Sequence, residues 1–171
     1  DMWFIIPHQK QKMENNDIKN LEEVSYFKIK KDIEQNVSFK NSKSLLGFGW
    51  THGSYGRSIE TSSVWSEGNQ SFFIFENPYE EVKSLELYIG NAMINKSDPL
   101  IINLFVNEKL IKRLEIYDGA KHKVNIDLKN QLKFGLNMIK FAIENPITPV
   151  SKLESVDGRL LGFNLKSYKF K

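Results

Sequence analysis

The sequence predicts an all-β fold in which two antiparallel sheets pack face to face. Three observations predict it: apolar and polar residues alternate with a period of two in several segments, turn residues separate these segments, and helical periodicity is almost absent. Alternation places every second side chain on the same face of a strand, so that one face is apolar and enters the core. Several short strands of this kind are typical of a two-sheet sandwich.

The predicted strands are clearest from residue 72 onward. The alternating apolar sets are Leu85, Leu87 and Ile89; Ile102, Leu104 and Val106; Val124, Ile126 and Leu128; Ile139, Phe141 and Ile143; and Leu161, Phe163 and Leu165. Turn residues separate these sets at Asp118-Gly119 and Asn145-Pro146. Each set therefore predicts one half-buried strand.

Two details of strand pairing are also predicted. The short reversal Asn107-Glu108-Lys109 between two apolar runs predicts a β-hairpin. In the last strand Tyr168 and Phe170 have the opposite parity to the apolar residues before them. A bulge near Lys166-Ser167 would return this aromatic pair to the core face.

The N-terminal region differs from the rest of the chain. We predict an arm at residues 1–23 and a sandwich domain at residues 24–171. Asp17 is suited to cap a short helix, so the arm is expected to be partly helical. Residues 24–30 alternate and predict a first strand. The apolar stretch at residues 3–7 is too short for a membrane span, and we interpret it as the stub of a linker from a larger protein.

Composition excludes several classes of function. Lys and Arg total 24 and Asp and Glu total 21, a net charge of +3, without a basic block, so a nucleic-acid partner is not expected. The chain has no cysteine, which rules out disulfides and thiol chemistry but leaves the compartment open. No apolar run is long enough to cross a bilayer, so we expect membrane association only through a parent protein.

No catalytic motif is recognisable. The three histidines, His8, His52 and His122, are far apart and lack metal-ligand spacing. A nucleophile elbow is absent, and Gly47-Phe48-Gly49 lacks the third glycine of a dinucleotide loop. We therefore predict no catalytic residue, no metal and no cofactor. A glycosidase-like carboxylate pair depends on distance in space, so an independent hydrolase remains the least favoured alternative.

Residues 46–75 are unusually rich in glycine, tryptophan and hydroxyl side chains. Tryptophan and tyrosine offer flat faces on which sugar rings stack. Charged planar side chains such as Arg57 and Glu60 offer forked hydrogen bonds. This inventory suits glycan recognition by a loop that includes Trp50 and Tyr55. Trp65, at the start of a strand, is instead predicted to be a core residue that is mostly buried and structural.

Several of these residues resemble a known family pattern. Gly49-Trp50, then Glu60, then residues 64–68 with the sequence VWSEG, resemble a signature of accessory β-sandwich domains. These domains are fused to bacterial cell-surface polysaccharide biosynthesis enzymes, including membrane glycosyltransferases and phosphoglycerol-transferase-like proteins. Residues 134–137 and 157–163 are similar to later strands of that pattern, so the resemblance covers roughly residues 45–171. It implies a jelly-roll or galactose-binding-like fold and a carbohydrate-binding role without catalysis.

The sequence therefore predicts a non-catalytic glycan-binding module of a larger bacterial envelope-polysaccharide enzyme. The expected ligand-binding residues are Trp50, Tyr55, Arg57, Glu60, Glu67 and Arg159. The expected partners are an oligo- or polysaccharide and the parent enzyme's domains, on the extracytoplasmic or membrane-associated side of the envelope. A structural or oligomerisation module without ligand is the alternative. We also expect Asp157 and Arg159 to contact each other or the Trp65 segment.

Overall fold

A computed structural model describes residues 25–37, 44–52, 63–95, 97–149 and 157–171 as ten strands and their connections. The strands are β1 (Gln35–Asn36), β2 (Trp50–His52), β3 (Val64–Glu67), β4 (Gln70–Asn77), β5 (Ser84–Ala92), β6 (Leu100–Val106), β7 (Lys109–Ile116), β8 (His122–Asp127), β9 (Gly135–Ile143) and β10 (Leu161–Phe170). The described part of the chain holds no helix long and apolar enough to cross a membrane.

The strands form two antiparallel sheets. The six-stranded sheet has the order β2-β3-β10-β5-β8, with β1 beside the second half of β10, and the four-stranded sheet has the order β4-β9-β6-β7. From β3 to β10 the chain changes sheet at every step except the β6–β7 hairpin. This is the alternation of a jelly roll. The prediction of an all-β, two-sheet antiparallel sandwich is confirmed.

The core lies between the two sheets, where the predicted alternation is followed closely. Buried and half-buried side chains alternate along the whole of β6, and they alternate along β9 from Asn137 onward. Leu104, Phe141 and Leu85 are fully buried, as are most of the residues predicted for the core face. Burial of a large apolar side chain stabilises a fold by about 1.5–3 kcal/mol, which explains why the pattern fixes strand orientation.

Both predicted pairing details are confirmed. Asn107 and Glu108 connect β6 to β7 with φ values of 46° and 73°. Two central residues with positive φ define the type I′ turn that matches strand twist in a two-residue hairpin. Strand β10 shifts its register against β5 between Leu165 and Ser167. The bulge returns Tyr168 and Phe170 to the core face, where both are buried.

The predicted first strand at residues 24–30 is not formed in the described residues 25–31. This segment makes only two isolated parallel bridges, Lys28 with Glu76 of β4 and Lys31 with Phe170 of β10. Its neighbours belong to different sheets, so the segment crosses the side of the sandwich and cannot form a ladder with either. Ile29 is nevertheless buried, which ties the crossing to the core. The arm at residues 1–23 lies outside the described residues.

A second short segment, residues 45–49, covers the remaining edge of β4. Gly47 donates a backbone hydrogen bond to the Phe72 carbonyl, and Ile74 donates one to the Leu45 carbonyl, both at 2.8 Å. Gly49 has a φ of +86°, and a Cβ at this position would lie 2.0 Å from the Gln70 carbonyl oxygen. Only glycine fits there, so this close approach sets the direction in which β2 begins.

Candidate functional site

The outer face of the six-stranded sheet carries a cleft of about 550 Å³. We call it the Tyr88 cleft. Its polar and aromatic lining residues are Glu34, Asn36, Tyr88, Lys121, His122, Lys123, Lys166 and Ser167. Its volume lies within the range of small-ligand sites in proteins. The lining comes from β1, β5, β8 and β10 and the residues beside them, so most of it stands on a rigid sheet.

Strand register explains why these residues meet. Leu87 and Ile89 point into the core, so Tyr88 between them lies on the outer face. Lys123 of β8 is directly opposite Tyr88 on one side, and Ser167 of β10 is opposite it on the other. Residues distant in sequence are therefore side by side across three hydrogen-bonded strands.

A buried carboxylate lies beside this cleft. Glu86 is 2% exposed although it is on the outer face of β5. Lys171 donates a short hydrogen bond to its carboxylate, the Tyr88 hydroxyl donates one at 2.8 Å, and the Lys123 Nζ lies 3.5 Å away. These donors, led by Lys171, lower the pKa of Glu86 to about 2. Glu86 is therefore ionised and fully engaged at neutral pH.

The Glu86 carboxylate favours the protonated forms of two cleft residues, Tyr88 and Lys123. It raises the pKa of the Tyr88 phenol by accepting its hydrogen bond, and it raises the pKa of Lys123 by charge attraction. The Lys123 Nζ lies 5.5 Å from the centroid of the Tyr88 ring. Because the hydroxyl of Tyr88 is used internally, this residue offers a ligand its ring together with the Lys123 ammonium group that lies over it.

Lys166 reaches the cleft across a glycine. A Cβ at Gly90 would lie 2.5 Å from the Lys166 Cε and 2.8 Å from the Asn164 Oδ1. The missing side chain at Gly90 lets the Lys166 chain lie flat across β5. On the β1 side, the Ser167 hydroxyl donates a 2.6 Å hydrogen bond to Glu34. Both sides of the cleft are thus shaped by defined side-chain contacts.

Trp50 has a different place from the one expected for a stacking platform. Its ring stacks on Phe73 with centroids 5.6 Å apart and meets Phe141 and Phe163 edge-on at 5.8 and 5.6 Å. Its Nε1 donates a 2.9 Å hydrogen bond to the Phe72 carbonyl. Trp50 pairs with Ser66, whose side chain faces the core, so Trp50 faces the core as well. Trp50 therefore packs its ring against the core while remaining partly exposed, and its expected role in ligand binding stays a prediction.

Trp65 is largely covered as expected, but the expected core position is wrong. In β3 the core-facing residues are Val64 and Ser66, both fully buried, and the buried Ser66 hydroxyl accepts a 2.9 Å hydrogen bond from the Phe163 amide. Trp65 therefore lies on the outer face of the six-stranded sheet and is half-buried. Its cross-strand neighbours there are Thr51 and Asn164.

The predicted contact between Asp157 and Arg159 is confirmed. The Arg159 Nε lies 2.9 and 3.0 Å from the two Asp157 carboxylate oxygens, and another guanidinium nitrogen lies at 2.5 Å. Arg159 also donates a 3.1 Å hydrogen bond to the Thr51 hydroxyl, next to Trp65. Asp157 is buried, and the Arg159 guanidinium holds its pKa below the usual range. This pair ties the entry of β10 to β2.

Several expected site residues cannot be placed together. Tyr55, Arg57 and Glu60 lie outside the described residues, so their role stays a prediction. Glu67 ends β3 opposite Leu161, half-buried, on the same outer face as Trp65. The described residues contain no group of three His, Asp or Glu side chains that could hold a metal ion.

Sequence reasoning missed the Tyr88 cleft. Tyr88 was visible as the polar position in an alternating strand, and Lys123 and Lys166 as scattered lysines. The missing information was the order of β10, β5 and β8, which brings these positions together. A single sequence carries no direct signal for that order.

No protein-family model and no curated protein matches the chain. Among solved structures, a family 35 carbohydrate binding module from an environmental isolate is similar over 88% of this chain and 89% of its own, at 16% identity and a TM-score of 0.43. A family 36 module in complex with calcium and xylotriose is similar over 85% and 93%, at 10% identity and a TM-score of 0.40. A family 35 module from Clostridium thermocellum is similar over 81% and 89%, at 13% identity and a TM-score of 0.39. These similarities are too weak to identify a ligand of this chain.

Proposed function

We propose that this chain is a non-catalytic carbohydrate-binding module and that it binds glycan in the Tyr88 cleft. The observation that carries the proposal is a cleft of about 550 Å³ on the outer face of a sheet, lined by an aromatic ring and by polar and charged side chains. Glycan recognition needs this combination, because ring faces stack on C–H groups while polar groups take hydroxyls. The family resemblance around Trp65 and Arg159 supports the same class of function.

The carboxylates at the cleft argue against glycoside hydrolysis. A glycosidase needs one carboxylic acid that is protonated near neutral pH and a second carboxylate across the scissile bond. Glu86 has the opposite property, because its hydrogen-bond donors lower its pKa to about 2 and so keep it ionised at neutral pH. Glu34, the other acidic residue that lines the described cleft, accepts a hydrogen bond from Ser167. Glu86 is therefore unsuited to act as the proton donor.

The wider setting follows from the resemblance and is part of the proposal. The module would belong to a bacterial envelope-polysaccharide enzyme, on the extracytoplasmic or membrane-associated side, and would hold glycan near that enzyme's own site. Its membrane association would come through the parent protein, and nucleic acid would not be a partner. Binding is expected at about 10⁻⁵ to 10⁻³ M, because an open, wet site loses much of its contact energy to desolvation.

Affinity electrophoresis of the full chain in gels containing soluble neutral or acidic polysaccharides tests this proposal. Tyr88→Ala should weaken binding about three- to tenfold, the loss expected for one aromatic contact. Tyr88→Phe keeps the ring and should retain binding, although it removes the hydrogen bond to Glu86. Tyr26→Ala is the matched control, since Tyr26 is 44% exposed and lies beside the other sheet. Retardation that is unaffected by Tyr88→Ala would contradict the proposed site.

A structural or interaction role is the second candidate, and one observation favours it. The rim and outer face of the four-stranded sheet expose Phe48, Leu110, Phe134 and Leu136, with Phe134 at 77% and Phe48 at 79%. A contiguous exposed apolar patch is typical of an interaction surface, and we propose that these side chains contribute to one. Light scattering of the full chain at increasing concentration tests self-association, and Phe134→Ser should abolish any oligomer that uses this face.

A further inference from the structure

Positive charge is concentrated at the Tyr88 cleft. The whole chain has a net charge of +3 from 24 basic and 21 acidic residues. The cleft alone is lined by Lys121, Lys123 and Lys166 against one acidic residue, Glu34, which gives 3 − 1 = +2 before histidine is counted. Glu86 beside the cleft is balanced by Lys171, which binds it directly. The lining is therefore net positive, and Asp118 adds a negative charge beside it, 3.1 Å from the lining residue His122.

Protection of sheet edges does not account for all three lysines. Lys123 is on β8, which is an edge strand, and lysine on an edge is a common device against aggregation. Lys166 is on β10, which has hydrogen-bonded neighbours on both sides. A lysine is common on the solvated outer face of an antiparallel sheet, so the direction in which Lys166 points is the informative feature. Its position over Gly90 directs it towards the cleft, where Tyr88 also lies.

The cleft lysines keep charge available for a ligand. Within the part of the chain that the structure describes, the Lys121 and Lys166 ammonium groups make no hydrogen bond or ion pair. Lys123 is shared between Glu86 at 3.5 Å and the Tyr88 ring at 5.5 Å, and its side chain is 53% exposed. A sugar stacked at Tyr88 would place its ring substituents beside this ammonium group. A charged substituent gains from that position, and a neutral one does not.

We propose that the Tyr88 cleft selects glycans that carry an anionic group, a carboxylate or a sulfate, and that Lys121, Lys123 and Lys166 recognise it. This inference rests on the proposed function, since it specifies the ligand of the same cleft. Each exposed lysine–anion contact contributes modestly and corresponds to about two- to fivefold in affinity. The three lysine–anion contacts together decide specificity, because a neutral sugar cannot form them.

The test compares matched ligands by titration calorimetry on the full chain. The probes are oligogalacturonate, the same oligomer fully methyl-esterified, a sulfated galactan oligosaccharide and a short DNA duplex. We expect the acid to bind at least tenfold more tightly than its ester, and the gain to disappear between about 0.01 and 1 M salt as the Debye length falls from about 30 to 3 Å. A tighter fit of the sulfated probe would identify sulfate as the recognised group.

Substitutions connect the preference to named residues. Lys166→Met and Lys121→Met should each weaken acid binding about two- to fivefold and leave ester binding unchanged. Lys109→Met is the control, because Lys109 is exposed on the hairpin of the other sheet. Equal binding of acid and ester, with Tyr88→Ala still harmful, would overturn this inference and leave the proposed function intact. Binding of no saccharide would overturn both. Binding of the DNA duplex as tightly as the acid, independent of Tyr88, would reduce the lysines to a non-specific polyanion surface and also overturn the inference.

Discussion

Replacing Trp50 by alanine tests whether this residue belongs to the core or to a ligand site. Its ring contacts Phe73, Phe141 and Phe163 at centroid distances of 5.6 to 5.8 Å. Removing a large core aromatic costs about 3–5 kcal/mol, since both transfer free energy and packing are lost. At about 2–4 °C per kcal/mol for a chain of this size, the melting temperature should fall by about 6–20 °C.

Two companion variants sharpen this test. Trp50→Phe keeps most of the ring and removes the Nε1 hydrogen bond to the Phe72 carbonyl, which still accepts from the Gly47 amide. It should therefore cost only about 1–2 kcal/mol. Trp65→Ala, on the outer face, should cost about 0.5–2 kcal/mol. Denaturant unfolding followed by far-UV circular dichroism gives all three values.

The refuting result is specific. If Trp50→Ala melts within about 2 °C of the parent chain while Trp65→Ala loses more, the core assignment of the two tryptophans is reversed. Such a result would return Trp50 to the list of candidate ligand contacts.

Three further perturbations have outcomes fixed by local geometry. The pKa of Glu86 is about 2 in the folded chain against an ordinary 4.5, so its contribution to stability is present above pH 4.5 and is lost as pH falls towards 2. The difference in free energy of unfolding between the parent and Glu86→Gln should therefore shrink as the pH is lowered from 4.5 to 2. A difference that stays constant would refute the assignment of Glu86 as ionised. Glu108 has a φ of 73°, so Glu108→Gly should stabilise the chain by about 1 kcal/mol in urea unfolding, and a loss would contradict the turn geometry. Gly49→Ala would place a Cβ 2.0 Å from the Gln70 carbonyl and should cost about 1–3 kcal/mol or more in the same assay, whereas Gly158→Ala meets nothing within 4 Å and should be nearly neutral.

Apolar alternation carries most of the information about this fold. Strands β5, β6, β8, β9 and β10 follow the predicted apolar sets, because a one-residue error would expose an entire core face. The same rule located the bulge before Tyr168, where parity changes. The alternation rule failed at residues 25–31. Alternation indicates which side of a segment is buried, but it does not indicate whether the neighbouring strands belong to one sheet or to two.

Strand β3 explains why the core position predicted for Trp65 is wrong. Val64 and Ser66 share the core face of β3, and Ser66 is buried because its hydroxyl satisfies the Phe163 amide. A serine at a core position does not look apolar in a sequence, so the larger Trp65 was assigned to the core instead. Buried polar side chains with a partner are invisible to a hydrophobic pattern.

The candidate site was less accessible than the fold, for a physical reason. Glu86 looks like a solvated carboxylate between two leucines, yet Lys171 and Tyr88 cover it, and Lys171 is 85 positions away. The Tyr88 cleft likewise depends on which strands are neighbours, and Gly90 is informative only once Lys166 is seen to cross it. By contrast, the contact between Asp157 and Arg159 is local, and the sequence was sufficient to predict it.

The most direct test of glycan binding at the Tyr88 cleft is a map of the amides that change when sugar binds. The full chain, isotope-labelled for NMR, is titrated with oligogalacturonate and separately with its methyl ester. The cleft site predicts that the largest shift changes fall on residues 88–90, 121–123 and 166–167, which line it or lie beside it. Changes confined to residues 50–60, or no change with either sugar, would contradict it.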